Sequence, residues 1–353
     1  MAQAMNDATG NRVIGKTIRG LAVCALLAAL LGGCVQLRDI FIPQPPGVGD
    51  EWSALLDEVR AFEHKIGFEE TDNFFDLSQE QHAFPFCGYA SRLHLPYSYE
   101  DPAIRWLDSV SEQECRTFGR EADAYYGASE ALGEIGTPVT PAMITSKLDR
   151  FLYLVIHEDC HDQFELPYGI EEPLCDLIAF KAMAAFSEEK FGYFAKEGRA
   201  VRRYAATQSR LTRATITYYD QLATLYARHQ RAEISSEALL RERSAIFRKA
   251  ERVLGGPRGE LNNVGLANDM TYSRHYPSLE SVFDALGRDL ARTVEFFRQV
   301  DKGKPSRAAI MKRHRVTNDE SVDFIRAYEA AVLDTVRKAL QETRTRNVAP
   351  DPR

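Results

Sequence analysis

Apolar side chains recur every three to four residues along most of this chain, the period of a helix with one buried face. That spacing predicts helices over 51–66, 196–230, 234–254, 278–303 and 318–342. Thr140-Pro141 supplies a helix start, Thr as N-cap and Pro in the first turn, for a helix through Phe151–Ile156 (FLYLVI) to about Gln163. Leu166-Pro167-Tyr168-Gly169 then breaks the pattern, and a second helix starts near Glu171 with Pro173 in its first turn. Residues 67–110 are richer in aromatics, Pro and Ser and read as irregular, with room for short strands. From about Glu112 onward the pattern is almost entirely helical. The fold class is therefore mainly α: one helical domain over 51–342, followed by a frayed tail at 343–353.

The N-terminus departs from this pattern. Arg12, Lys16 and Arg19 precede an apolar run, Leu21–Leu31, that is too short for the roughly 20 residues a spanning helix needs. It ends in Leu31-Gly32-Gly33-Cys34, which resembles the lipobox of bacterial lipoproteins. The resemblance implies a signal peptide over 1–33, lipid on Cys34 and a membrane partner through that lipid. Val35 rather than Asp after the cysteine implies, by the same resemblance, an outer-membrane protein facing the periplasm. Residues 34–50, with Pro43, Pro45 and Pro46, read as a tether.

Losing Asp7, Arg12, Lys16 and Arg19 with the leader takes the net charge from −7 to −9. No basic cluster stands out in the remainder, which argues against nucleic acid or anionic lipid as a partner. Cys87, Cys115, Cys160 and Cys175 remain beside the anchor; in an oxidising compartment they can form two disulfides whose pairing stays open.

The candidate chemistry sits at the end of the helix that begins at Thr140. His157-Glu158-Asp159-Cys160-His161 is an HExxH sequence, which places two imidazoles four residues apart on one helical face with Glu158 beside them. Zinc needs a third protein ligand and an open position for water. Glu171 and Glu172 follow ten residues after His161, and Asp176 lies four beyond Glu172 on the same face. That spacing favours Glu172 as the ligand, with Asp176 placed to accept the outer N–H of a ligand histidine. Asp159, directly after Glu158, adds a charge inside the motif, facing either the metal or solvent. A hydrolase also needs a donor to the oxyanion, and Tyr272 and His275 are the candidates. A buried Tyr272 bonded to backbone is an equal alternative. Asn262-Asn263 fits either a peptide main-chain contact or a helix cap.

The set His157, Glu158, His161, Glu172 and Asp176 resembles the gluzincin metallopeptidases. The short spacing is more similar to a family of bacterial envelope proteins labelled "putative aminopeptidase". Leu261-Asn262-Asn263-Val264, Thr271-Tyr272, Pro277, Phe283, Gly287 and Asp289-Leu290 are similar to a second block of that family, and Leu225-Tyr226 to a step between the blocks. The resemblance covers about 140–300 and implies a zincin-like helical domain: an HExxH helix, a following Glu-bearing helix and one zinc per chain. It implies a metallopeptidase acting on peptides, with Glu158 as general base. An endopeptidase or a cell-wall amidase fits the same residues. The rival from another class is a non-catalytic envelope protein, with a structural metal site closed by Asp159 or Cys160 or with an inactive peptidase scaffold.

Overall fold

The computed structural model describes residues 49–78, 83–131, 136–255 and 261–348. Cys34, the leader and most of the tether lie outside them. The described chain is mainly helical, as the periodicity requires. Its elements run α1 (Trp52–Lys65), β1 (Phe84–Ala90), β2 (Arg105–Asp108), α2 (Glu112–Phe118), β3 (Asp123–Ser129), α3 (Pro141–Thr145) and α4 (Leu148–His161). There follow α5 (Tyr168–Phe191), α6 (Lys196–Gln230), α7 (Ser236–Leu254), α8 (Asn263–Ser273), α9 (Tyr276–Ala285), α10 (Leu290–Gly303), α11 (Arg307–His314) and α12 (Val322–Val348).

The core is built around α4 and α5. Both are buried on nearly every side: Phe151, Leu152, Val155 and Ile156 of α4 meet Ile170, Leu174, Leu177 and Ile178 of α5 in one cluster. Side chains of α1, α9, α10 and α12 close that cluster from outside. The remaining long helices are amphipathic, which is why their periodicity was legible, whereas α5 shows little contrast between its faces.

Several expected boundaries move. The helix begun at Thr140 is interrupted. Thr140 does cap it, accepting from the Met143 N–H, but α3 ends at Thr145, and α4 starts afresh after Ser146 and Lys147. The second helix starts at Tyr168 rather than near Glu171, so Pro173 falls in its second turn. The stretch 278–303 is two helices, separated where Gly287 and Arg288 both take positive φ. The last helix starts at Val322 rather than 318 and runs past 342 to Val348.

Strands also occur where helix was expected. β3 lies beyond Glu112 and joins β1 and β2 in an antiparallel sheet of order β2-β1-β3. On one face Gly88 sits opposite Trp106, and Gly127 opposite Phe86. A Cβ on Gly88 would come within 2.4 Å of the Trp106 ring, and one on Gly127 within 2.3 Å of the Phe86 ring. The missing side chains let both rings lie flat against the sheet. α8 packs on this face through Val264 and Ala267, against Ala90, Ile104, Trp106 and Tyr125. Disulfides join Cys87 to Cys115 and Cys160 to Cys175.

Candidate metal centre

His157 and His161 occupy the last turn of α4, where exposed carbonyl groups favour a positive charge. The turn at Leu166–Pro167 reverses the chain and lays the start of α5 against that helix end. His157 Nε2 and His161 Nε2 lie 3.4 Å apart, and Glu172 Oε2 is 3.2 Å from the first and 3.6 Å from the second. All three residues are buried, and among the described residues they form a group able to hold a metal ion, with ligand atoms within 4.8 Å of one another.

The outer nitrogens are also occupied. His161 Nδ1 is 2.9 Å from Glu171 Oε1, and Glu171 Oε2 accepts from the Leu166 N–H. His157 Nδ1 lies 3.2 Å from Asp176 Oδ1, though off the line of the ring N–H. Asp176 accepts in addition from the Tyr153 hydroxyl, and the Tyr153 ring stacks on His157. With a proton on each Nδ1, both Nε2 lone pairs point at a carboxylate oxygen with no donor between them, an arrangement that is favourable only around a cation.

The acid–base balance agrees. Burial alone would lower both histidines, yet Asp176 and Glu172 push His157 up to about 9, and Glu171 and Glu172 raise His161 well above its usual value. Burial would raise Glu172, but the two histidines hold it well below the carboxylate range. A metal ion can take the place of those extra protons. The residues present therefore fit a metal.

Glu158 is buried on the same helix end, and its charge acts on both His161 and Tyr272. The Tyr272 ring centroid is 6.2 Å from that of His157. Burial, then Glu172, Asp176 and Glu158, push its hydroxyl well above the usual range, so it stays a proton donor. Tyr168, at the start of α5, has Tyr272 and Glu172 beside it. His275 is placed differently. Its Nε2 is 2.9 Å from Glu329 Oε2, which also accepts from the Tyr97 hydroxyl, and among the described residues no contact joins it to the three ligand candidates. The segment carrying Tyr272 and His275 spans a helix junction: it forms the end of α8 and the cap of α9.

Asp159 faces neither metal nor solvent. It is 1 % exposed and turned toward the chain before β1, accepting from Thr71 Oγ1 at 2.6 Å and from Asn73 Nδ2 at 3.2 Å. Burial raises it to about 6, and it raises the buried Glu63 of α1 in turn. Cys160 is held in its disulfide with Cys175. Neither residue that could close the coordination shell is directed to do so. Asn262 caps α8, accepting from the Val264 and Gly265 N–H groups, and Asn263 donates to the His94 carbonyl. Asn262 therefore fills the cap role, while Asn263 is tied to the chain's own backbone.

Sequence reasoning missed Glu171 as a histidine partner, and it missed Tyr153 and Tyr168 altogether. Tyr153 was detectable, since it precedes His157 by four residues on the same helical face.

No curated protein and no solved structure matches the sequence. A family model described as "Putative aminopeptidase" matches residues 71–311. That span exceeds the 140–300 of the sequence resemblance, adding Thr71, Asn73 and the whole sheet to His157, Glu158, His161, Glu172 and Tyr272. The chain belongs to the putative aminopeptidase family.

Proposed function

We propose that this chain is a zinc-dependent peptidase, with α4 and α5 serving as a zincin-type pair of HExxH and Glu-bearing helices. The observation that carries the reading is the convergence of His157, His161 and Glu172, with each outer imidazole nitrogen turned toward a carboxylate. Two nitrogens and one carboxylate oxygen suit zinc and leave a fourth position open. Zinc bound there would polarise a peptide carbonyl and lower the pKa of water.

The remaining chemistry falls to the chain itself. Glu158 takes the proton from the attacking water and delivers it to the leaving amine. Tyr272, kept protonated by burial and by three carboxylates, donates a hydrogen bond to the developing oxyanion. Asp176 and Glu171 fix the ring orientations of His157 and His161. The direct test is Glu158→Gln, which cannot accept the water proton. It should keep its metal and its melting temperature while peptide hydrolysis falls by at least about a hundredfold. Near-wild-type cleavage by a metal-loaded Glu158→Gln protein would refute the mechanism.

The leader and Cys34 support a second element of the proposal, attachment to the bacterial envelope through lipid, facing the periplasm from the outer membrane. Among the described residues no helix is long and apolar enough to cross a membrane. Cys34→Ala should move the protein from the membrane to the soluble fraction, and unchanged membrane association would rule lipidation out.

A further inference from the structure

A cavity of about 410 Å3 adjoins the metal centre. Tyr168, which has Tyr272 and Glu172 beside it, lines this cavity. So does Glu171, whose Oε1 lies 2.9 Å from His161 Nδ1. α12 supplies another wall through Phe324, Ile325 and Tyr328. A Cβ on Gly169 would come within 2.0 Å of Glu329 Oε1, so the bare backbone lets α12 close on the first turn of α5. Glu100, from the connection between β1 and β2, joins the lining.

Four carboxylates and two cations line this space. Both cations are engaged, Lys304 with Asp301 at 2.6 Å and Arg307 with Asp319 at 3.0 Å. Glu171 is held by His161 and by the Leu166 N–H. Glu100 and Glu165 are left without an ion pair among the described residues. Glu100 is also crowded by like charge. Loss of water, together with Glu329 and Glu172, pushes it up to about 7, and Arg307 offsets this only in part. A cation beside it would relieve that crowding. Tyr328 is 6 % exposed and lines the cavity near Glu165, and its hydroxyl makes no hydrogen bond among the described residues. Leu166, Phe324 and Ile325 add apolar surface.

We infer that this cavity receives a substrate side chain next to the cleaved bond and selects lysine or arginine there. The inference rests on the peptidase reading. The aliphatic stem of such a side chain lies along Leu166, Phe324 and Ile325, and its cation meets Glu100 and Glu165. A terminal amine alone would leave the apolar walls without a partner. The volume falls within the roughly 300–1,000 Å3 of ordinary ligand sites.

The test uses the full metal-loaded chain and two pairs of peptides, with Lys or Gln just before the cleaved bond in one pair and just after it in the other. In one pair the Lys peptide should show a kcat/KM higher by about tenfold, mostly through KM, and high salt should shrink the ratio. Glu100→Gln together with Glu165→Gln should bring the ratio toward one. Equal values in both wild-type pairs, or a preference that survives the double substitution, would overturn the inference. If no peptide is cleaved, the peptidase reading fails separately. The cavity is then judged by fluorescence anisotropy of the same peptides, labelled at the C-terminus, on the Glu158→Gln protein. There the Lys peptide should bind about tenfold more tightly whether its N-terminus is free or acetylated. Equal affinities, or discrimination of the terminus alone, would overturn the inference.

Discussion

Glu171 and Glu172 are adjacent in sequence and do different work. One turns an oxygen to the Nε2 atoms of both histidines, and the other to the Nδ1 of His161 and to a backbone N–H. On the proposed reading, removing Glu172 deletes a ligand and should abolish tight zinc binding. Removing Glu171 leaves three ligands but frees the His161 ring, and should weaken affinity by about 10–100-fold. Competition with a zinc chelator on Glu171→Ala and Glu172→Ala checks both values, and equal losses would show that the two have been misassigned. The place of Glu172 beside both histidines was legible because Glu172 and Asp176 are four residues apart on a helix. The partner role of Glu171 was not, because it depends on a turn at Leu166–Pro167 whose geometry no periodicity reports. Asp159 was unreadable for a similar reason: its partners, Thr71, Asn73 and Glu63, lie about 90 residues upstream.

At the scale of elements, the whole candidate ligand set lies on two helices, and one covalent bond ties them. Cys160 immediately precedes His161 and Cys175 immediately precedes Asp176, with both sulfurs buried. Cys87–Cys115 instead ties β1 to α2, far along the chain from the ligands. Each bond closes a loop of 15 or 28 residues, so each stabilises the fold by a similar amount, about 3–4 kcal/mol. Their effects on metal should differ. Replacing Cys160 and Cys175 with Ala should lower zinc affinity by about tenfold or more, because the two halves of the site lose their fixed register. The Cys87/Cys115 pair, replaced in the same way, should lose comparable thermal stability and keep its zinc affinity. Equal zinc affinities in the two double variants would contradict this.

The long amphipathic helices were legible because one buried face leaves a strong period. The helix breaks at Ser146 and Gly287 were not, since both flanks keep apolar residues in step. β1 and β2 fall within 67–110, where short strands had room, but β3 escaped because it carries Gly127 where a strand would ordinarily show a large side chain.

The molecule as a whole is acidic, with a net charge of −7, yet it gathers arginines from around residues 92, 116–120 and 243–252 onto one cavity. No run of sequence announces that patch, because sheet, short helix and long helix each contribute only a few of its residues. The metal centre is the opposite case: its donors come from a 20-residue stretch, His157 to Asp176, and were legible as a motif. The central claim is that this centre is an open zinc site. A crystal structure of the zinc-loaded protein tests it most directly. It should show one zinc per chain at about 2.0–2.2 Å from His157 Nε2, His161 Nε2 and a Glu172 carboxylate oxygen, with a water in the fourth position. A protein that holds no zinc, or a zinc enclosed by four side chains, would contradict it.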